Sequence, residues 1–153
     1  MKKLFVLFSS LLLLFNSYGY NPPSIDEQLL RSFAVQFPNA QKVAWQESDD
    51  AYVVSFIENG IRLRIVYLRN GALTHFIRYY FEENLPLDLR LQVKNKFPGK
   101  RIFGVTEENI ISNIENHSKT IYYIKLVDES NWYTIRAGRN KKLKIIEKLN
   151  KGI

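Results

Sequence analysis

The side chains that could perform nucleophilic or acid–base chemistry are few in this sequence. A serine or cysteine nucleophile needs a neighbouring base, usually histidine, and the 153 residues include no cysteine and two histidines, His75 and His117. Neither lies near a G-x-S-x-G motif, which would hold a serine nucleophile on a sharp turn. His75 falls in the middle of a predicted strand. We therefore predict that the chain is not an enzyme, an expectation that a hydrogen bond between His75 and a carboxylate in a pocket would contradict.

Carboxylates occur as adjacent pairs at Asp49-Asp50, Glu82-Glu83 and Glu107-Glu108. Such oxygens could bind calcium weakly, whereas a zinc site needs three or four closely spaced Cys, His or carboxylate ligands. We expect the first and third pairs to be solvated hairpin turns and the second to be a solvated linker. The seven glycines form no phosphate-binding loop. No metal and no cofactor is predicted.

Aromatic and basic residues are much more frequent than these catalytic types. The chain has 10 Phe, 9 Tyr and 2 Trp, and its formal net charge is +7 at pH 7. Aromatic residues and arginine are enriched at protein contacts, and a basic surface favours acidic partners. Which of these residues could act together depends on the helices and strands that carry them.

The first residues predict export from the cell. Lys2 and Lys3 precede the apolar run 4–15, which is typical of a signal peptide and too short to span a bilayer comfortably. Ser17 and Gly19 are small enough for a cleavage site after Gly19. We predict a signal peptide over 1–19 and a periplasmic or secreted product without a membrane span after cleavage. An uncleaved anchor is the alternative, and export removes nucleic acid as an expected partner.

A helix and four strands are predicted next. Ser24 and Glu27 have the spacing of a capping box, and apolar residues then recur every four positions until Pro38 ends the helix. Asn59-Gly60 and Asn70-Gly71 are strong hairpin signals, because both central residues of a type I′ turn need positive φ. The strands are expected over 42–47, 52–57, 61–68 and 72–80.

The second half repeats this order of elements. Apolar residues at 85, 89, 93 and 97 stand sixty positions after those at 25, 29, 33 and 37, and later matches are seventy positions apart. The stretch 85–93 also alternates like a strand, but Pro86 suits the first turn of a helix, which we therefore predict. We expect two α-β4 units, 20–81 and 82–153, with an insertion at 109–118. The strand register near 101–105 stays open by one residue.

Two such units can share one antiparallel sheet with both helices on one face, which is an α+β fold. Alternation along each strand then assigns residues to the opposite face, called the open face below. If Leu63 and Ile65 face the helix, Arg62 and Arg64 belong to the open face. Applied to the other strands, this alternation predicts a partner-binding set of Arg62, Arg64, Phe76, Arg78, Tyr80, Tyr123, Lys125, Trp132 and Arg136.

Several segments resemble the PepSY-like, β-lactamase-inhibitor-like family of exported bacterial proteins. The resemblance covers about 25–149 and rests on the Phe-Pro turn at 37–38, Trp45 after Lys-Val, the Asn59-Gly60 strand end and Leu85-Pro86. It implies a tandem α/β repeat outside the cytoplasm, with no established catalytic chemistry. The inhibitors that lend the family its name grip an enzyme with a concave sheet and carry disulfides, which this cysteine-free chain cannot form. PepSY domains proper are linked with protease propeptides and inhibition, and no functional residue transfers from either.

These patterns together predict a non-catalytic exported module that recognises a protein or peptide of the cell envelope through the open face. Inhibition of an enzyme is one specific form of this function. Burial of the open face in a homodimer and a plain surface of cross-strand aromatic pairs are alternatives. A second function, binding of a small ligand or an acidic glycan, predicts a closed pocket instead of a broad shallow face.

Overall fold

A computed structural model describes residues 24–112, 117–138, 140 and 142–152. The predicted signal peptide 1–19 lies outside these residues, as do positions 113–116 of the predicted insertion. Within the described part, neither helix has the length and apolar character needed to cross a membrane.

Each of two helices is followed by four strands. All eight strands form one antiparallel sheet in which the spatial order equals the chain order, so the predicted α+β fold with a shared antiparallel sheet is confirmed. An origin by tandem repetition stays a prediction. The elements are α1 (Glu27–Gln36), β1 (Gln41–Glu47), β2 (Ala51–Glu58), β3 (Ile61–Leu68), β4 (Leu73–Tyr80), a 3₁₀ turn (Glu82–Asn84), α2 (Leu87–Lys96), β5 (Arg101–Ser112), β6 (His117–Val127), β7 (Asn131–Ala137) and β8 (Leu143–Asn150).

The two helices begin in different ways. Asp26 caps α1, its side chain accepting a hydrogen bond from the Leu29 amide at 3.0 Å. The predicted capping box is therefore wrong: Ser24 donates its amide to Glu47 at 2.9 Å, and Asp26 satisfies the helix instead, since aspartate caps as well as serine does. α2 follows Pro86 directly, which confirms the choice of helix over strand.

Both helices pack on the same face of the sheet. α1 buries Leu29 and Phe33 in one apolar cluster with β2 and β3, and α2 buries Leu89 and Val93 in a second cluster with strands of the other half. Residues paired across neighbouring strands share a face, and the pairing connects the clusters across the sheet. The connecting row is Leu63, Arg78, Glu107, Tyr122 and Ala137. We call this side the helix face.

The two Asn-Gly hairpins differ from each other. Asn59 and Gly60 have φ of 50° and 77°, so the predicted type I′ turn is confirmed there. At the second hairpin Gly71 has positive φ, while the Gly71 amide donates to the Leu68 carbonyl at 2.9 Å and the Leu68 amide donates to Ala72 at 2.8 Å. This is a three-residue loop, so the prediction of type I′ geometry at Asn70-Gly71 is wrong.

A β-bulge follows that loop. Tyr67 pairs with Leu73 but Val66 pairs with His75, which leaves Thr74 as an extra residue on β4. An inserted residue reverses the faces of the side chains beyond it. Leu73 and Phe76 consequently both pack toward the α1 cluster.

The insertion predicted at 109–118 lengthens one hairpin. Asn109 and Ile110 still pair with β4. Ile111 pairs with Ser118 and Ser112 pairs with His117, beyond the last pairs that β5 makes with β4 and that β6 makes with β7. The end of this hairpin is thus a two-stranded extension of the sheet.

Candidate functional site

The open face carries six of the nine residues predicted for partner binding. Arg62, Tyr123 and Arg136 belong to one row that crosses five strands, with Tyr79 and Thr106 between them. The other three lie in flanking rows, because Arg64 pairs with Ile77, Lys125 pairs with Thr134, and Trp132 pairs with Val127.

The remaining three predicted residues, Phe76, Arg78 and Tyr80, lie on the helix face. The extra residue Thr74 reverses β4, so the side chains that face away from the helices are His75, Ile77 and Tyr79. The assignment of Phe76, Arg78 and Tyr80 to the open face is therefore wrong. Its cause is the bulge, which strict alternation cannot foresee.

A groove of about 670 Å³ runs over the middle of the open face. Its aromatic lining includes Phe81 and Phe103, which are 64% and 46% exposed. Arg62 lies at the β3 side of the groove and Lys125 at the β6 side. The complete lining is Ile57, Gly60, Arg62, Tyr79, Tyr80, Phe81, Phe103, Gly104, Val105, Thr106, Tyr123, Lys125 and Thr134.

An aromatic pair borders this groove. The rings of Phe103 and Trp132 meet edge to face with centroids 4.8 Å apart, a favoured arrangement for aromatic pairs. The Arg101 guanidinium lies 5.7 Å from the Phe103 ring, and the Lys151 ammonium lies 5.6 Å from the Trp132 ring. Trp132 is thus held in a fixed, partly exposed position beside basic groups.

The charges of the open face are mostly positive. Among the described residues, no ion pair is seen for Arg62, Arg64 or Arg136. Lys125 differs, because its ammonium lies 3.1 Å from the Thr134 hydroxyl and 3.2 Å from Glu147. Hydrogen bonds from Thr134 and Lys125 lower the pKa of Glu147 below its ordinary value. The three free arginines are available to carboxylates of a partner.

His75 of the open face makes no hydrogen bond to any carboxylate that the structure describes. His75 Nε2 lies 3.9 Å from Glu108 Oε1, which is beyond hydrogen-bond reach, and its Nδ1 lies 3.2 Å from the Thr74 hydroxyl. In the described ranges, no group of three or more His, Cys, Asp or Glu side chains could hold a metal ion.

The sequence interpretation missed a buried polar cluster on the helix face. Glu107 is 6% exposed and accepts hydrogen bonds from Arg78 Nη2 at 2.9 and 3.0 Å, from the Tyr80 hydroxyl at 2.7 Å and from the Asn109 side-chain Nδ2 at 3.2 Å. Burial, and then the hydrogen bond to Glu107, raise the pKa of Tyr80 far above its ordinary value.

The prediction that Glu107-Glu108 is a solvated turn is therefore wrong, because both residues lie within β5. One signal could have revealed this: Glu107 is two residues after Val105, so a strand places both side chains on the same buried face. The matching prediction for Asp49-Asp50 is correct, since these residues lie in the exposed connection between β1 and β2.

Comparison with known proteins identifies the fold. No protein-family model matches the chain, and no curated protein matches it significantly. Among solved structures, a BLIP-like protein from Bacteroides fragilis NCTC 9343 matches with a TM-score of 0.61 and 13% identity over 87% of this chain and 89% of that one. A DUF2874 family protein from Bacteroides ovatus ATCC 8483 matches with a TM-score of 0.61 and 18% identity, covering 86% and 89% of the two chains.

A third neighbour is a candidate periplasmic protein from Bacteroides eggerthii DSM 20697, with a TM-score of 0.61 and 15% identity over 84% of this chain and 90% of that one. The chain therefore covers most of each neighbour's length. Identities this low establish shared architecture and leave function to be argued from the site. The resemblance to the β-lactamase-inhibitor-like family is confirmed at the level of the fold: this chain has the fold of the BLIP-like and DUF2874 proteins.

Proposed function

We propose that this chain is a non-catalytic module that recognises a protein or peptide in the cell envelope through its open face. The observation that carries the proposal is the row from Arg62 to Arg136, where tyrosine, threonine and arginine side chains face away from both helices. The few residues that supply most of the binding free energy at protein contacts are enriched in tryptophan, tyrosine and arginine. Trp132 and Phe103 extend this surface toward β7.

Electrostatic attraction would bring the partner to this face. The formal net charge of +7 favours encounters with acidic surfaces and accelerates association at low salt. Arg62, Arg64 and Arg136 would then pair with carboxylates. We expect the association rate to fall as ionic strength rises, because exposed charges are screened within about 10 Å at 0.1 M salt.

The periplasm or the cell exterior is the proposed site of action. The apolar run 4–15 after Lys2 and Lys3 is typical of an exported protein, and one structural neighbour is described as periplasmic. Inhibition of an enzyme is a specific form of the proposed function, supported by fold analogy to a BLIP-like protein. A homodimer formed through the open face would be an alternative occupant of the same surface.

The test is capture of partners from an envelope extract by the immobilised chain. Arg64→Ala combined with Trp132→Ala should abolish capture of a partner that binds the open face. The matched control combines Arg31→Ala with Val35→Ala on the exposed side of α1. Equal capture by the original chain and the open-face variant would refute the proposal, and sedimentation of the purified chain as a dimer would favour self-association.

A small-molecule binder is the second candidate, and the groove is the observation that favours it. Its volume of about 670 Å³ lies within the range of ligand sites. Native mass spectrometry of the chain after incubation with an envelope extract would detect a retained ligand. Loss of that ligand in Lys125→Ala, with protein capture unchanged, would favour this candidate over the first.

A further inference from the structure

The floor of the groove contains a position without a side chain. Gly104 lies on β5 opposite Lys125, and its φ is outside the left-handed region. A Cβ built at Gly104 would meet only the Tyr80 carbonyl oxygen, at 4.0 Å. Backbone conformation and packing therefore do not require glycine here. Because Gly104 has no side chain, the groove has free space above it.

Aromatic rings surround this space. Phe81 and Phe103 are large apolar residues that remain exposed to solvent, and Tyr79 and Tyr123 line the same groove. Contiguous exposed apolar surface around a groove marks binding sites for a partner or ligand. A large apolar side chain could pack there against several rings at once and gain their buried area.

Positive charges stand on both sides of the space. Arg62 is on β3 and Lys125 is on β6, so three strand spacings, roughly 14 Å, separate them across the sheet. Lys125 also lies two residues beyond Tyr123 of the Arg62 row, an offset of roughly 7 Å along the strand. Glu147 partly neutralises Lys125, and Glu108 with His75 lies in rows beyond the groove. An extended peptide advances about 3.3 Å per residue with side chains alternating. Carboxylates two residues before and two residues after an apolar residue would therefore reach both basic groups.

We infer that the groove over Gly104 is an anchor site for one large apolar side chain on an acidic extended segment of the partner. The acidic side chains lie two positions to either side of the anchor, one directed to Arg62 and the other to Lys125. This inference rests on the proposed function and names the chemistry of the segment that the open face recognises.

The probe is a capped pentapeptide with the order Glu-Ala-Phe-Ala-Glu. It should bind the chain and shift the amide NMR signals of Gly104, Thr106 and Tyr123. The same peptide with lysines in place of the glutamates, and the peptide with alanine in place of phenylalanine, should each bind at least about tenfold more weakly. Failure of the first peptide to bind, or equal binding of the lysine peptide, would overturn the inference.

Gly104→Val fills the groove with a residue that suits a strand. It should weaken binding of the acidic peptide at least about tenfold without lowering the melting temperature. The control is Gly138→Val, because an added Cβ at Gly138 meets nothing within 4 Å and the residue lies outside the groove. Phe103→Ala is a second groove variant and should weaken binding as well, with its melting temperature measured beside its affinity. Unchanged affinity in both groove variants would contradict the inference.

The same variants separate this inference from the proposed function. If Gly104→Val still captures the envelope partner while the Arg64→Ala/Trp132→Ala chain does not, the open face binds protein but the groove is not the anchor site. If all open-face and groove variants capture the partner as the original chain does, the proposed function fails together with the inference.

Discussion

Arg78 Nη2 lies 2.9 and 3.0 Å from the two carboxylate oxygens of Glu107, on the helix face where β4 meets β5. This ion pair stands between the apolar cluster of α1 and that of α2, since Leu63 of the first and Ala137 of the second belong to the same cross-strand row. The contact joins the last strand of the first half to the first strand of the second. With the Tyr80 hydroxyl and the Asn109 side chain, it forms a polar link between two apolar clusters.

Glu107→Ala should destabilise the fold. The substitution leaves the Arg78 guanidinium and the Tyr80 hydroxyl without their acceptor, and leaving such groups unsatisfied costs about 1–3 kcal/mol. The destabilisation should be smaller than that for breaking a fully buried ion pair, because the Arg78 side chain is 39% exposed. Urea unfolding at neutral pH measures the loss. A change below about 0.5 kcal/mol, the size typical of surface substitutions, would show that the pair is only a solvated contact.

The double variant Arg78→Leu/Glu107→Leu is the companion experiment. Replacing both partners with apolar residues also removes the Arg78 charge, which Glu107→Ala leaves without a partner. We expect the double variant to be more stable than Glu107→Ala. If the double variant is less stable than Glu107→Ala, the attraction between Arg78 and Glu107 contributes more to stability than the penalty for an unpaired Arg78 takes away.

Asp128 should make stability depend on acid pH. Its carboxylate accepts hydrogen bonds from the Lys100 ammonium, the Tyr133 hydroxyl and the Asn131 amide, and these bonds, led by that from Lys100, hold the pKa of Asp128 well below its ordinary value of 3.8. Because the folded pKa is depressed, the stabilisation is complete above the unfolded pKa and disappears as pH falls through the folded pKa.

The melting temperature of Asp128→Asn should therefore lie below that of the original chain at pH 7, and the gap should narrow below about pH 4. Thermal unfolding followed by circular dichroism at several pH values measures this. A difference in melting temperature that stays constant down to strongly acid pH would contradict the lowered pKa of Asp128. Asp50→Asn, in an exposed connection, is the control and should show no such gap.

Tyr80 should resist ionisation at alkaline pH. Burial and the hydrogen bond to Glu107 raise the pKa of Tyr80 above its ordinary value of 10.0, so the folded state favours the protonated hydroxyl. The stabilisation from the protonated Tyr80 hydroxyl is present below the pKa of Tyr80 in the unfolded chain. It is lost as pH rises through the pKa of Tyr80 in the folded chain. Absorbance titration of the tyrosinates should show the same alkaline transition near pH 10 in Tyr80→Phe as in the original chain. A clear loss of amplitude near pH 10 in that variant would mean that Tyr80 titrates normally.

The β4 bulge predicts a large loss of stability for Phe76→Ala and a small one for Arg64→Ala. Phe76→Ala should cost about 2 kcal/mol, less than the truncation of a fully buried phenylalanine, because Phe76 is half-buried against the α1 cluster with its ring 6.3 Å from that of Phe37. Arg64→Ala should change the free energy of unfolding by less than about 0.5 kcal/mol, since Arg64 is exposed. Similar small effects for both would place Phe76 on the open face and refute the bulge.

Most of the fold could be predicted from local patterns. Strand β3 has the predicted bounds, and α2 was identified from Pro86 and the four-residue spacing despite competing alternation. Both patterns reflect interactions within one element. The open-face positions of Trp132, Tyr123 and Arg136 follow from regular alternation in β6 and β7, where no bulge intervenes between these residues.

The errors arise where distant parts of the chain decide the outcome. Thr74 is an ordinary strand residue, and only its pairing with β3 shows that it is extra. Glu107 looks solvated beside Glu108, and its burial depends on Arg78 and Tyr80, which come from another strand. The groove likewise combines residues of β2 through β7. No single segment contains the information that assembles it.

The separation of the two sheet faces has a consequence for how such chains can diverge. The apolar clusters and the Arg78–Glu107 pair all lie on the helix face, so substitutions along the row from Arg62 to Arg136 leave them untouched. Mutations can therefore change the open face, while selection for folding acts on the residues of the helix face. This freedom suits an architecture that persists among chains sharing 13–18% of their residues.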